Sequence, residues 1–425
     1  LFLFDRVIYY ISYIYMVFAL GQSMRFRKNI YIVIRCLLVY LVFFSVKKTG
    51  VTETKNDITF VADSSTYYNV QSIYAREKAA ELDARFKRLN KKGVFNGTVL
   101  YAEYGQEIYK GAFGFEDFRK RDSMDINSAF QLASVSKMFT AYAIMVLAEE
   151  GRLDYDDTIT KFIPEFPYSG VTVRQLLTHR SGLSRYMSLA DKHWNINKPI
   201  RNEDVIDLFV KYKPAPYFKP DDGFHYCNTN YALLASVAER ISGQPFDEFV
   251  KEKVFDPIGM INSFVYHIGN DSVIRYEVPV GVPGYRARGR GLTKVADYYL
   301  NGVMGDKGVY STVEDLFRFS QALDNGYPVS LSALEEAFTA GSPKYYRRKD
   351  NYGFGWRLKE SHDSTAYHFG WWKGFRTYFI RDMENQRVLI ALTNTHSGVS
   401  SGVLWDIIEN GEKSEKILNI YTALD

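Results

Sequence analysis

Residues 134–150 are apolar at most positions of a helix-length segment. Met138, Phe139, Ala141, Ala143, Ile144, Val146 and Leu147 leave it no continuous polar face, and Gly151 ends it. A helix apolar nearly all round is buried on most sides. The chain must therefore fold other layers around this segment and build a large core. The composition supplies the material, since 46% of the 425 residues are hydrophobic and 24% are charged. That balance excludes low-complexity disorder, collagen and a disulfide-stapled mini-protein. Fifty-three Lys and Arg against 49 Asp and Glu give a net charge of +4 with no basic stripe, which argues against a nucleic-acid partner. The 33 Tyr and 30 Phe are spread along the chain as core and surface filler rather than as a stacking platform.

Cys36 and Cys227 lie far apart, in an apolar run and deep in the chain, so a bridge between them is not expected. No CxxC, HxH or HExxH spacing is present, so neither a metal nor a cofactor is expected.

Residues 1–50 form a hydrophobic signal or membrane-anchor region. The first apolar stretch, residues 1–20, contains Asp5 and Arg6. The second follows a basic segment, Met24-Arg-Phe-Arg-Lys28, and runs over residues 30–46 before Lys47 and Lys48. That is the order of a secretory signal or signal anchor. Met24 reads as the start, with residues 1–23 an upstream extension; the alternative is a hairpin of two membrane segments. Arg35 weakens the apolar run, and no small-residue cleavage site follows, which favours an uncleaved anchor. The remainder is expected outside the cytoplasm, in the periplasm or on the outer face of the membrane. Residues 51–71 read as a polar linker, and residues 72–425 as the functional domain.

Within that domain, residues 72–92 read as a charged amphipathic helix. Residues 97–102 and 107–111 alternate around Tyr104-Gly105-Gln106 as a hairpin. Thr172 and Gln175 form a capping box that opens a short helix over residues 173–179. Helices are predicted at residues 202–211, 230–242, 246–254 and 403–410, and strands at 365–368, 376–381 and 387–394. Strands near both ends with helices between them indicate one sheet built from both ends and a helical insertion.

The chemistry starts at Ser134-Val-Ser136-Lys137. Ser134 and Lys137 share one helix face, one turn apart. A serine hydroxyl needs an adjacent base to act as a nucleophile, and a lysine on the next turn is suitably placed. The backbone N–H of Ser134, unpaired in the first turn, is free to meet a developing oxyanion. The spacing alone also fits an N-cap serine with a surface lysine. A second serine, in Gly398-Val-Ser400-Ser-Gly402, sits in the context of a nucleophile elbow. The triad histidine would have to follow it, and the last histidine is His396.

Other segments follow in order: Leu176-Leu-Thr-His-Arg-Ser-Gly182-Leu, Tyr226-Cys227-Asn228, Gly308-Val-Tyr-Ser-Thr-Val-Glu-Asp315, Tyr352-Gly-Phe-Gly-Trp356 and His368-Phe369-Gly370. Together they resemble the serine β-lactamase and penicillin-binding-protein-like hydrolases, on the class C β-lactamase and esterase branch, over residues 72–415. The resemblance implies an α/β fold with an antiparallel sheet flanked by helices and a mostly helical subdomain. It makes Ser134 the acylated nucleophile, Lys137 its base partner and Tyr226 a general acid/base. His368 takes a catalytic place where the family has the K-T-G lysine. Asn228, Gly370 and the Trp371 N–H bind the substrate. A phenol ordinarily ionises near pH 10, so Tyr226 needs a nearby cation, and Lys137 or His368 is placed to supply it. The function implied is acyl transfer to water on small esters or D-amino-acid peptides, with a small molecule or short peptide as substrate. The alternatives are a true β-lactamase, a D-Ala-D-Ala carboxypeptidase or a non-catalytic peptidoglycan-binding relative.

Departures from the family pattern carry their own expectations. Cys227 reads as a small buried thiol, and His179 as a structural residue bonded to backbone. Lys307 reads as an exposed loop lysine or a substrate-facing charge. An imidazole at position 368 is mostly neutral above pH 7 and charged near pH 5.5. This predicts a preference for neutral esters at pH 8 that narrows in acid. The counter-reading is that Lys307 or Arg376 supplies the missing carboxylate contact.

Overall fold

The computed structural model describes residues 64–268, 281–289, 291–342, 350–359 and 364–409. The anchor read over residues 1–50 and residues 51–63 of the linker lie outside these. No described helix is long and apolar enough to cross a membrane.

The first helix, α1 (Ser64–Lys91), begins earlier than the charge pattern indicates and leads into the predicted hairpin, β1 (Gly97–Glu103) and β2 (Gln106–Phe113). Tyr104 and Gly105, with φ of +51° and +74°, make its turn. Five strands from the other end complete the sheet: β3 (Asp350–Tyr352), β4 (Arg357–Lys359), β5 (Thr365–Trp372), β6 (Phe375–Asp382) and β7 (Arg387–Thr393). The order is β3-β4-β5-β6-β7-β1-β2, and every pairing is antiparallel. Both ends of the domain build one sheet, as the strand pattern implies.

Successive residues of a strand face opposite sides, and the two sides pack differently. Val99, Tyr101, Ile380 and Leu389 pack with Leu82 and Phe86 of α1 and with Leu404 and Ile407 of α5 (Ser401–Glu409). Leu100, Phe379, Ile390 and Leu392 belong to the larger core on the other side, with α2 (Ser136–Glu149) and α4 (Val313–Asn325). Every residue of α2 from Ser136 to Leu147 is buried, which accounts for its missing polar face. A helical region covers it, with α3 (Asn228–Ser242) and the helices Tyr186–His193 and Asn202–Tyr212.

Two local departures from the predicted elements matter for the site. The helix expected from residue 134 starts at Ser136, and Ser134 sits in the preceding 3-10 turn, Ala133–Val135. Ala133 is held at φ +52°, a left-handed value that an alanine adopts only under constraint. The constraint is visible on the neighbouring strand. A Cβ at Gly370 would lie 2.1 Å from the Leu132 carbonyl oxygen and 2.2 Å from Thr377 Oγ1. Only glycine lets β5 approach the turn this closely. The second departure is the short helix Val173–Leu177, which ends early because His179 turns the chain at φ +59°.

Candidate active site

The 3-10 turn leaves Ser134 half-buried while Ala133 and Val135 are buried. Lys137, on the first turn of α2, is wholly buried. Its Nζ donates to Ser134 Oγ at 3.3 Å and to the Asp306 carbonyl oxygen at 2.7 Å. It also lies 5.1 Å from the centre of the Tyr226 ring and 5.6 Å from that of Tyr231. Among the described residues the ammonium has no carboxylate partner. Two oxygens and two ring faces hold it, a polarisable cage that offsets part of the cost of desolvating it. Thr140 Oγ1 donates to the Gly305 carbonyl, and the Val309 N–H to Ser136 Oγ, so α2 is pinned along residues 305–309.

Tyr226 and Asn228 flank Cys227 at the start of α3. The segment is oriented by His179, whose Nδ1 accepts the Cys227 N–H at 3.2 Å and the Asn230 side-chain amide at 3.2 Å. The backbone bond expected of His179 is therefore present, and its ring packs 4.4 Å from that of Tyr226. Cys227 is the expected buried thiol, donating to the Leu183 and Ser184 carbonyls, and burial pushes its ionisation up. Tyr226 Oη and Asn228 Oδ1 are buried without a partner among the described residues. Buried polar atoms are nearly always paired, so two orphans in one place mark a position that a ligand or water completes.

His368 departs from its expected role. Its Nδ1 is 3.0 Å from the Phe369 carbonyl oxygen, so Nδ1 carries the proton, and Nε2 accepts the Tyr352 hydroxyl at 3.0 Å. Both nitrogens are used. Burial, reinforced by Arg357 and Lys137, pushes the imidazole well below its ordinary 6.5. His368 is thus a neutral link between β5 and Tyr352, not the cation beside Tyr226.

The cation that does stand there was not singled out in the sequence. Arg357 of β4 places its guanidinium 5.1 Å from the Tyr226 ring centre and 5.9 Å from that of Tyr352. It makes no ion pair with a described residue. Nothing in its local sequence distinguishes it from any strand arginine; only its position after the Tyr352–Trp356 motif could have drawn attention.

Gly370 and Trp371 lie where the turn bearing Ser134 meets β5. The β4 ladder reaches only Tyr367, and the turn packs along the strand beyond it. The Trp371 side chain points elsewhere and is 59% exposed, donating its indole N–H to His396. Arg376, paired with Trp371 across the strands, stacks on that indole at 4.9 Å. By strand alternation it sits on the face opposite His368, so it is no substitute for the missing lysine. Ser400 heads α5 in the same opposite layer, which removes it as a rival nucleophile.

Residues 82–410 match the sequence profile of the Beta-lactamase family. The chain belongs to that family. It is 37% identical over 334 residues to "Penicillin-binding protein 4*" of Bacillus subtilis, covering 75% of this chain and 72% of that protein. It is 25% identical over 326 residues to a D-aminopeptidase of Cereibacter sphaeroides, covering 72% of this chain and 58% of that one. A penicillin-binding protein from Bacillus halodurans superposes with a TM-score of 0.65 at 24% identity, covering 77% of this chain and 98% of that one, and shares the fold. This chain is a serine hydrolase of the beta-lactamase family.

Lys307 stands in a turn that the family usually fills with small residues. It is neither exposed nor substrate-facing. Its side chain is 4% exposed and that of Asp306 is 0%. Lys307 Nζ bonds Asp306 Oδ1 at 3.0 Å and the Tyr186 hydroxyl at 2.7 Å, and the Tyr186 hydroxyl lies 3.0 Å from Asp306 Oδ2. Burial pulls Lys307 below its usual range while Asp306 pulls it back. This triad fixes the residue whose backbone carbonyl holds Lys137. Removing one partner of a buried pair leaves an uncompensated charge, at about 3–5 kcal/mol. Lys307→Met should therefore lower stability by that amount in urea denaturation, and adding Asp306→Asn should restore most of it. Equal losses in the single and double variants would contradict the pairing.

The histidines give a pH signature. His179 and His368 are both held well below 6.5, chiefly by burial. The unfolded chain protonates them near pH 6.5 and the folded chain does not. Below that pH the unfolded state binds more protons, so stability falls as pH drops, by about 1.4 kcal/mol per pH unit for each histidine. His368→Gln should remove one histidine's share of that slope below about pH 6.5. An unchanged slope would contradict a neutral, buried His368.

Proposed function

We propose that this chain hydrolyses short D-amino-acid peptides and small esters through an acyl-enzyme on Ser134. The observation that carries this reading is the buried Lys137 ammonium, bonded to Ser134 Oγ beneath the ring of Tyr226, whose own hydroxyl lacks a partner. In this reading Ser134 Oγ attacks the acyl carbonyl and gives its proton to the Tyr226 oxygen, which the Lys137 ammonium holds in the acceptor form. The N–H groups of Ser134 and Trp371 meet the oxyanion. Collapse breaks the bond to the leaving group, which takes its proton from Tyr226, and Asn228 orients the acyl side. Water then attacks the ester with Tyr226 as base, releasing the acid and restoring Ser134.

Arg357 sets the substrate preference within this reading. With His368 neutral and Lys307 buried, the guanidinium over Tyr226 is the cation that meets a carboxylate on the leaving-group side. The preference expected from position 368 is thereby reversed. Carboxylate-bearing peptides should be favoured, without an acid-side change tied to His368. The basic segment at residues 24–28 and the apolar run 30–46 support export and membrane anchoring, with this site outside the cytoplasm.

A charge-assisted contact is worth about 1.5–3 kcal/mol, roughly tenfold to a hundredfold in kcat/KM. Arg357→Gln should lose that factor on a D-amino-acid peptide with a free carboxylate, and distinctly less on the same peptide amidated. Ser134→Ala should be inactive on both. Equal losses on the two peptides with Arg357→Gln would contradict the carboxylate assignment, and turnover by Ser134→Ala would contradict the nucleophile.

A further inference from the structure

Beside the turn that follows β5 lies a groove of 780 Å³ that the proposed chemistry does not use. One wall is a two-stranded ribbon, Tyr285–Arg288 paired with Gly291–Lys294. Arg286 and Arg288 are two residues apart on one strand, so both sit on the same face, about 7 Å apart. Both line the groove and are exposed, and neither makes an ion pair or hydrogen bond with a described residue. The single acid in the lining, Asp297, is 3% exposed and already engaged by Lys373, Asn301 and Tyr266. Arg286 and Arg288 therefore give the groove positive charge that no carboxylate among the described residues matches.

The opposite wall is aromatic. Trp371 is 59% exposed, yet its indole is held by the hydrogen bond to His396 and by the Arg376 guanidinium stacked on its ring. A large indole fixed at the surface offers apolar area with little ordering cost. Next to it, Trp372 stacks on Tyr298 at 5.5 Å and packs over Lys307 at 5.3 Å. The groove shares residue Trp371 with the reading above, in which the backbone N–H of that residue serves the oxyanion. Paired cations attract repeated anions, and a rigid indole packs against the apolar face of a sugar ring.

We propose that this groove is a binding subsite for an anionic glycan strand, the polymeric part of a substrate whose acyl group reaches Ser134. Only its status as a substrate subsite rests on the Ser134 reading; the binding itself does not.

The test is isothermal titration of the full chain with polygalacturonate at low ionic strength, repeated on Ser134→Ala, with neutral dextran and polyphosphate as comparison polymers. Parent and Ser134→Ala should bind polygalacturonate alike and should not bind dextran. Affinity should fall as salt is added. Arg286→Ala/Arg288→Ala should bind about tenfold more weakly, while its small-ester turnover stays at the parent level. Trp371→Ala should also bind polygalacturonate more weakly. No binding by the parent, or equal binding by the double-arginine variant, overturns the subsite. Binding of polyphosphate at least as tight as of polygalacturonate, and insensitive to Trp371→Ala, overturns the assignment to a glycan. Loss of ester turnover in Ser134→Ala with polymer binding intact leaves both readings standing. Ester turnover by Ser134→Ala sinks the catalytic reading alone.

Discussion

An ammonium with no carboxylate partner among the described residues is buried in this fold, and much of the structure is arranged to hold it. Lys137 is fully buried and rests on one serine hydroxyl, one backbone carbonyl and two tyrosine faces. Each support needs its own arrangement. The Asp306 carbonyl is fixed by the buried Lys307–Asp306–Tyr186 triad. Tyr226 is carried on a segment whose backbone His179 holds. Ser134 reaches the ammonium from a 3-10 turn with a left-handed alanine, packed so close to β5 that residue 370 must be glycine. A neutral, well-paired environment would stabilise the chain more; unpaired buried groups are what a reactive site needs.

The same arrangement explains how charge is partitioned. Four basic groups come close together: Lys137, Lys307, Arg357 and His368. Each is in a different state of compensation. Lys307 is matched by a carboxylate, His368 is neutral because burial and two neighbouring cations favour that form, and Lys137 is held by oxygens and rings. Arg357 is left on two tyrosine rings. A bound anion would compensate it at little cost, because the guanidinium is only half-buried and already in place.

Much of this was legible in the sequence where it depends on spacing. The pair Ser134 and Lys137, the capping box at Thr172, the Tyr104–Gly105 turn and the apolar α2 all follow from local periodicity, and the structure has them. The single sheet made from both ends followed from strand order. What depended on burial was not legible. A lysine in a loop is ordinarily solvated, and only the folded arrangement brings Tyr186 and the chain around Lys307. His368 carries an imidazole's ordinary titration until β4 and Tyr352 surround it. Arg357 and Arg376 are indistinguishable as strand arginines. Register and alternation alone put one over Tyr226 and the other on the far face.

In the proposed mechanism the buried Lys137 ammonium makes Ser134 reactive. The direct measurement is the rate of acyl-enzyme formation, followed by quenched intact-mass analysis of a stoichiometric ester, in the parent and in Lys137→Met. Methionine fills the same volume without the charge. A positioned acid/base group contributes about a hundredfold to ten-thousandfold, so acylation should slow by at least a hundredfold while thermal stability holds or rises, since a buried charge has been removed. Acylation of Lys137→Met at the parent rate would contradict the account.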